Sequence, residues 1–435
     1  MSGTTPVRSL VGKSIHTLKK TKGIEGGIYM KTMFDLREKE NGGIYEAVRN
    51  LYVEPVEVVR LGDQSINACI GCWNCWLKTP GKCVMKDQMA EHYPDYVNSD
   101  TVVLLFDTAQ GFINHQAKAF FDRTIPHYHP YIEIVDGECH HVARYERYPD
   151  LVFYFDTEGL TNQEEQVIED FLYRTAYHFK SMVYRIAKKE NLQLRLLEPR
   201  KAKNQAVAFE STEPMEKLVI YNGSPRRSGS NSALILQKTV EALGDRIEVR
   251  DLKERNKWAE WAENFKNDKH VMFFMPLYVH AMPSHVMRFI EKLQTCQGSI
   301  GFFVQSGFPE SSQSHYLEAY FEQLAVKLGR TYLGTAIKGG VEGLVTRPAK
   351  AQEKMMEPMV NAIVNLVNEG KYNRADIRQL AMPIRFGKVI GSLVKLVAKT
   401  GRLNSFWDYQ LKANNVYEKS FDRPHVSITK EISTI

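Results

Sequence analysis

The chain has 435 residues, 43% of them hydrophobic and 25% charged, with a formal net charge of +6. This composition predicts a globular protein of two or three domains, and so mild a positive charge suits anionic small molecules without indicating nucleic acid as a partner. No apolar run approaches the roughly 20 residues that span a bilayer, and no signal-peptide core opens the chain, so we expect a cytoplasmic protein.

The first part of the chain alternates between strand and helix patterns. Residues 1–30 form a basic segment, which we interpret as a helix lying on the body rather than a transit peptide. Strands are then predicted at 32–36, 56–61, 101–106 and 151–155, and helices at 44–51, from about 87, at 116–123 and at 164–180. Strands separated by helices indicate a parallel α/β sheet.

Four cysteines lie close together after the second predicted strand. Cys69, Cys72, Cys75 and Cys83 form the pattern C-x2-C-x2-C-x7-C. Three thiolates at this spacing can bind one 4Fe–4S cluster, and a fourth on a returning loop completes it. Free or redox-active thiols and a zinc ion are the alternatives. Cys139 and Cys296 are predicted to be inert, and the pair His140-His141 to lie in a solvated loop without metal spacing.

A second series of strands and helices begins at Lys217, after a charged linker at about 198–215. Strands are predicted at 219–221, 246–250, 271–275, 300–304 and 332–337, with helices at 285–293 and 316–328. The two series indicate a diverged repeat, because Lys31 matches Lys217 at an offset of 186 and Asp107 matches Pro276 at an offset of 169. The first repeat is therefore 17 residues longer between these landmarks (186 − 169), and that excess holds the four cysteines.

A loop rich in glycine and serine joins the first strand of the second repeat to its helix. Strand, short loop and helix direct backbone N–H groups and a positive helix end towards an anion, which predicts a phosphate site. Its donors are Ser224, Arg226, Ser228, Ser230 and Asn231. The loop is neither GxxxxGK[ST] nor a GxGxxG fingerprint, and the alternative is an ordinary turn whose serines cap the helix.

Gly223-Ser-Pro-Arg226 followed by Gly229-Ser-Asn231 resembles the FMN-phosphate loop of the NAD(P)H-dependent FMN reductase and flavodoxin-like family. The resemblance implies two tandem flavodoxin-like domains, each with a doubly wound parallel sheet, and FMN in the second. Loops after two further strands then border the flavin ring. The cofactor-binding residues so implied are Gly223, Ser224, Pro225, Arg226, Ser228, Ser230, Asn231, Pro276, Leu277, Tyr278, Ser306 and Gly307.

The cysteine pattern is similar to that of iron–sulfur flavoproteins, which implies a 4Fe–4S cluster. The first repeat carries an acid-rich segment, 35–43, where the phosphate loop is expected, so we predict that it binds no FMN. The predicted organisation is a basic segment at 1–30, a degenerate flavodoxin-like domain at 31–200, an FMN-binding domain at 215–370 and a helical extension at 371–435. The extension includes an amphipathic stripe at 386–397 and a helical piece at 406–415 without assigned chemistry.

The resemblance implies an FMN-dependent oxidoreductase that passes electrons from NAD(P)H through flavin to a quinone, flavin or other small acceptor. No side chain need act as acid or base, because the flavin carries the chemistry. A homodimer is the state expected from the family. Two alternatives stay open: an iron–sulfur flavoprotein that carries electrons between ferredoxin-like partners, and a non-catalytic FMN-binding scaffold.

Overall fold

The computed structural model describes residues 30–38, 43–52, 56–62, 65–199, 213–226, 229–388, 391–392 and 404–427. The basic N-terminal segment, most of the linker, Ser228 of the predicted phosphate loop and most of the amphipathic stripe therefore lie outside the described residues.

The first domain contains a six-stranded sheet and two small hairpins. The sheet has the order β10-β9-β8-β3-β1-β2, and only β10 runs antiparallel to its neighbour. The strands of this domain are β1 (Lys31–Asp35), β2 (Glu57–Arg60), β3 (Thr101–Phe106), β4 (Thr108–Ala109), β5 (Phe112–Ile113), β6 (Tyr128–Val135), β7 (Glu138–Ala143), β8 (Asp150–Phe155), β9 (Tyr184–Lys188) and β10 (Asn191–Leu196). The antiparallel pairs β4–β5 and β6–β7 stand outside the main sheet.

The second domain is a five-stranded, wholly parallel sheet in the order β12-β11-β13-β14-β15. Its strands are β11 (Leu218–Asn222), β12 (Ile247–Asp251), β13 (His270–Pro276), β14 (Ser299–Gln305) and β15 (Thr331–Lys338). Numbered within the domain this is 2-1-3-4-5, the flavodoxin-like order, and the parallel strands β2, β1, β3, β8 and β9 repeat it in the first domain. Two tandem flavodoxin-like domains, as predicted, are confirmed.

Helices connect the strands and continue beyond the second sheet. They are α1 (Gly43–Arg49), α2 (Asn74–Leu77), α3 (Gln88–Glu91), α4 (Tyr93–Asn98), α5 (His115–Arg123), α6 (Asn162–His178), α7 (Asn231–Leu243), α8 (Trp258–Asn264), α9 (Ser284–Ile290), α10 (Tyr316–Lys327), α11 (Ala349–Glu369), α12 (Arg374–Leu380) and α13 (Ser405–Ala413). Within the parts of the chain that the structure describes, no helix is both long and apolar enough to cross a membrane.

The prediction for His140-His141 was wrong. Both residues belong to β7, which pairs with β6, and His140 is 1% exposed. The hairpin β6–β7 has no counterpart among the predicted strands because its sequence, with Pro130 and three histidines, lacks a regular apolar alternation.

The two domains face each other within one chain. Helix α5 packs against α9 and α6 against α10, and the members of each pair occupy equivalent places in the two repeats. Apolar contacts join the domains into one core, as where the rings of Phe112 and Tyr320 lie 4.7 Å apart between centroids. A pairing of equivalent surfaces is what an isologous dimer would show, here formed inside the chain. The homodimer remains a prediction.

A histidine and a glutamate form an ion pair across this interface. His115 Nδ1 lies 2.5 Å from Glu291 Oε2 and 3.2 Å from Glu38 Oε1, and the backbone N–H of His115 donates to Glu291 at 2.7 Å. Burial lowers the pKa of His115, but the hydrogen bonds to Glu291 and Glu38 outweigh it and raise the pKa to about 9. The imidazolium form therefore joins the two domains at neutral pH.

We expect this pair to make stability depend on pH. Because the folded-state pKa is raised from 6.5 to about 9, the stabilisation is complete below pH 6.5 and is lost as the pH rises through about 9. The loss is at most about 3 kcal/mol. Thermal unfolding of the wild type and His115→Gln measured from pH 6 to 10 checks this. Equal pH profiles for the two proteins would contradict it.

Candidate functional site

The loop after β11 leaves no room for a larger residue at its first position. A Cβ on Gly223 would lie 2.7 Å from Val286 Cγ2 and 3.0 Å from Met275 Cβ. Asn222 accepts a hydrogen bond from the backbone N–H of Ser224 at 3.1 Å, which turns the chain at the end of the strand. The backbone thus passes close to helix α9 and strand β13, an approach that only glycine permits.

Helix α7 begins directly after this loop. Ser230 is its N-cap and accepts from the backbone N–H of Ala233 at 3.1 Å. The side chain of Asn231 donates to Val341 O at 2.7 Å and accepts from Val345 N at 3.2 Å, so it anchors the loop that follows β15. The backbone N–H groups of Asn231 and Ser232 bond to none of the described residues and remain available to an anion.

The loops after β13 and β14 lie beside this helix end. Tyr278 and Ala281 exchange two backbone hydrogen bonds of 2.9 and 3.0 Å, which closes a tight turn. The intervening residues Val279 and His280 have φ of 38° and 59°, a left-handed conformation that strains non-glycine residues and often marks functional sites. Ser306 is buried and its hydroxyl donates to Phe308 O at 3.0 Å.

One cavity of about 280 Å³ is lined both by the predicted metal ligands and by the predicted flavin-binding residues. Its lining includes all four clustered cysteines of the first domain and most of the predicted flavin residues of the second. Those lining residues are Cys69, Cys72, Cys75, Cys83, Ser224, Arg226, Ser230, Asn231, Pro276, Leu277, Tyr278, Ser306 and Gly307. Gly223 and Pro225 are not among them. The cysteines and the flavin loops, predicted as separate sites, thus face one space.

The cysteine loop contacts the second domain directly. Gly71 has φ +61°, and a Cβ there would lie 1.9 Å from the hydroxyl oxygen of Tyr278. Trp73 lies under the guanidinium of Arg226, whose Cζ is 4.0 Å from the ring centroid. These two contacts fix the distance between the thiols and the Tyr278 turn.

The four thiols interact electrostatically with one another. Burial, followed by the Coulomb interactions with Cys69, Cys83 and Cys72, raises the pKa of Cys75 well above its ordinary value. Burial likewise raises the pKa of Cys69 to about 12. The thiols of Cys69 and Cys75 are therefore protonated at neutral pH unless a metal replaces their protons. Cys72, in contrast to the buried Cys75, is exposed to solvent.

The two metal groups considered for the thiols differ in the sulfur spacing that they require. No three cysteine sulfurs of the described chain lie within 4.8 Å of one another. A tetrahedral zinc ion with bonds of about 2.3 Å would hold its sulfurs about 3.8 Å apart. In a 4Fe–4S cluster each thiolate binds a different iron, so the sulfurs are more widely separated. A cluster and a zinc ion therefore require different spacings of the four sulfurs.

The C-terminal helical piece packs against the cysteine loop, which no sequence pattern indicated. Trp407 of α13 packs edge-on against Trp73 and Trp76, with centroids 5.2 Å apart in both pairs. Tyr131 donates to Asp408 at 2.9 Å and holds the helix in place. An aromatic pair, Phe406-Trp407, was visible in the sequence, but no pattern linked it to residues more than 300 positions earlier.

A buried ion pair of the first domain positions the Tyr278 turn. Lys118 and Asp122 are paired without solvent, and Lys118 Nζ donates to Tyr278 O at 2.7 Å. Asp122 accepts from the backbone N–H of Ser284 at 3.0 Å. Another residue that the sequence did not indicate is Glu342, which lines the cavity near Arg226. Burial raises the pKa of Glu342 and Arg226 only partly offsets this.

Comparison with known proteins finds one partial relative. An iron–sulfur flavoprotein of Archaeoglobus fulgidus is 34% identical over 94 residues, which are 22% of this chain. The chain spans 37% of that relative's length. No protein-family model matches the chain.

Several solved structures are similar to about a third of the chain. A Trp repressor binding protein from Bacillus subtilis is 18% identical, with 35% of this chain and 98% of that one covered, at a TM-score of 0.28. An FMN-dependent NADH-azoreductase from Bacillus anthracis in complex with FMN is 14% identical, with coverages of 35% and 100% and a TM-score of 0.28. At these identities and TM-scores they carry no conclusion about function.

We expect Gly71→Ala to separate the cysteine loop from the Tyr278 turn. Gly159→Ala is the matched control, since Gly159 also has positive φ but has no atom within 4 Å of an added Cβ. The control should lose about 1 kcal/mol of unfolding free energy from backbone strain alone. Gly71→Ala should lose clearly more, because its Cβ also meets the hydroxyl of Tyr278. Denaturant unfolding measures both. Adding Tyr278→Phe should recover part of the extra loss, and equal losses for the two glycine variants would refute the contact.

Proposed function

We propose that the protein is an FMN-dependent oxidoreductase in which a 4Fe–4S cluster, held by Cys69, Cys72, Cys75 and Cys83, exchanges electrons with the flavin. The observation that carries this proposal is the single cavity lined both by these cysteines and by the predicted flavin loops. The partial similarity to an iron–sulfur flavoprotein supports it. The proposed cluster site and the proposed flavin site are in contact. Electron transfer between two redox groups needs them to be this close.

In this proposal the phosphate of FMN binds at the start of α7. The free backbone N–H groups of Asn231 and Ser232 and the hydroxyl groups of Ser224 and Ser230 supply donors, and the helix end supplies a positive potential. Arg226 adds a full charge. Because its guanidinium is held over Trp73, this charge stays at the cavity rather than extending into solvent.

The flavin ring is proposed to lie along the turns after β13 and β14. Pro276, Leu277 and Tyr278 form one border and Ser306 and Gly307 the other. Bound FMN supplies the chemistry, since it exchanges electrons singly with a cluster and in pairs with organic substrates. Lys118 then acts as a positioning residue, because it holds the backbone of Tyr278 from the other domain.

The surroundings of the cysteines suit an anionic cluster. Arg144 and Arg123 lie near enough to lower the pKa of Cys75 and Cys69 respectively, against the larger effect of burial. Trp73, Trp76 and Trp407 cover the loop with apolar surface. Buried positive charge stabilises thiolates and a cluster with net negative charge, and the tryptophans exclude water.

NAD(P)H is proposed as the electron donor, and a quinone, a flavin or another small molecule as the acceptor. A second candidate is an electron carrier that exchanges single electrons with a ferredoxin-like protein. The exposure of Cys72 favours it, since one edge of the cysteine loop reaches the surface. Rapid oxidation of NAD(P)H by the purified protein would support the NAD(P)H-dependent oxidoreductase. Rapid electron exchange with a reduced protein carrier, without rapid NAD(P)H oxidation, would support the electron carrier.

We expect protein purified without oxygen to contain about four iron atoms and one FMN per chain. Cys69→Ala with Cys72→Ala should abolish iron binding and leave FMN in place, because the phosphate loop belongs to the other domain. Cys296→Ala, outside the cavity, is the control and should retain both. Iron assay and flavin absorbance measure this. FMN without iron in the wild type would reject the cluster, and absence of FMN would reject the whole proposal.

Arg226→Gln should weaken FMN binding about 10- to 100-fold, because a charge-assisted contact contributes roughly 1.5–3 kcal/mol. The difference should shrink as salt is added. Arg255→Gln is the matched control, since Arg255 also lies over a tryptophan, Trp258, but outside the cavity. Flavin fluorescence titration gives both affinities. Unchanged binding by Arg226→Gln would remove Arg226 from the site.

A further inference from the structure

A buried group of three histidines and a glutamate lies beside the cavity. Glu138 and His140 are two positions apart on β7 and so share one face of the strand. His178 is the last residue of α6, and His280 belongs to the tight turn of the second domain. His178 and His280 also line the cavity wall. The group therefore lies where the two domains meet.

Three ring nitrogens in this group have no partner. Nε2 of His140, Nε2 of His178 and Nδ1 of His280 are buried without a hydrogen bond to any described residue. His140 is 1% exposed and His280 6%. A buried polar atom without a partner costs about 1–3 kcal/mol, so three in one place call for a ligand that satisfies them.

The protonation states suit a cation. Burial is the main cause that lowers the pKa of His140 to about 3 and the pKa of His178 and His280 well below the ordinary value. Burial raises the pKa of Glu138, but Arg174, Ser312 and Arg385 outweigh this and keep it low. Neutral imidazoles and an ionised carboxylate are the forms that bind metals.

We propose that this group binds one divalent transition-metal ion of the zinc type. One donor atom each from Glu138, His140 and His178 lie within 4.8 Å of one another, and Glu138 Oε2 is 3.8 Å from His178 Nε2. His280 is not within this group of three, but its ring centroid lies 4.2 Å from that of His178, and we assign it as a fourth donor that reaches the ion when its ring turns. Imidazole nitrogens with one carboxylate form a donor set that zinc accepts in tetrahedral geometry.

Binding requires a small movement of one ring. The rings of His140 and His178 are stacked at 3.8 Å with an interplanar angle of 6°, so their lone pairs lie in parallel planes. One ring must turn out of the stack to direct Nε2 at a shared ion. The gain is that three unpartnered nitrogens become ligands.

The side chains that contact Glu138 are mostly cationic. Arg174 donates to Glu138 at 3.1 Å, Arg385 lies 3.0 Å from its other oxygen, and Ser312 donates to that oxygen as well. These contacts orient the carboxylate as outer-shell partners do. Their positive charge also opposes a dication, so the affinity should be lower than that of a structural zinc site. The ion is thus expected to be removable by a chelator.

The test uses the full chain, purified without oxygen, stripped with a chelator and dialysed against zinc. We expect about one zinc ion per chain, with X-ray absorption showing only nitrogen and oxygen neighbours at about 2.0–2.1 Å. His140→Gln with His178→Gln should weaken zinc binding at least tenfold. His92→Gln, which removes a histidine paired with Asp95 outside this group, should bind zinc like the wild type. Zinc should raise the melting temperature of the wild type and the control but not of the double variant.

Two results would overturn the proposal. One is that the wild-type protein holds no zinc at the end of the dialysis. The other is a sulfur shell at about 2.3 Å, which would assign the zinc to the cysteines instead. Because the absorption spectrum is taken on the wild type, the test holds even if the double variant does not fold. Iron and FMN contents of the same samples show separately whether the proposed redox groups are present.

Discussion

The pairing of equivalent helices from the two repeats is the constraint on which the rest of the structure depends. With α5 against α9 and α6 against α10, the cysteine loop of one domain reaches the loops that follow the strands of the other. In open α/β sheets, ligands bind at the carboxyl ends of the strands. Here the loops after β11, β13 and β14 meet the cysteine loop of the opposite domain, so residues of both domains line one cavity.

The two repeats have diverged at the same structural position. After β11 the chain leaves backbone N–H donors of Asn231 and Ser232 without a partner among the described residues, whereas β1 ends at Asp35, which lies between two arginines. Arg37 Nε lies 2.9 Å from Asp35 Oδ1, and Arg60 Nη1 lies 2.5 Å from Oδ2. The first repeat thus fills this strand end with its own ion pairs. That it binds no FMN stays a prediction.

The strands were largely predictable because buried parallel strands are continuous apolar runs. Thr101–Phe106 was predicted with its observed limits, and all six residues are buried. The strands β4 and β5, with two residues each, and β6, β7, β9 and β10 were missed. The sequences of β6 and β7 are irregular, whereas β10 does alternate polar and apolar residues, which is a strand signal that the prediction did not use. The cysteines and the loop residues that line the cavity were predictable from local motifs, but the contact between Gly71 and Tyr278, the buried Lys118 and the packing of Trp407 on the cysteine loop were not. These contacts follow from how domains dock, which no local pattern records.

Because the two repeats are covalently linked, the cavity between them does not come apart when the protein is diluted. Two separate chains would form such a cavity only above the concentration at which they associate, and would expose half-sites below it. Joined in one chain, the halves meet at an effective concentration set by their tether, which does not change with the amount of protein. Each half can also change its sequence without altering the other, which a symmetric dimer does not allow. The cavity therefore contains one cysteine loop and one copy of the loop after β11 at any protein concentration.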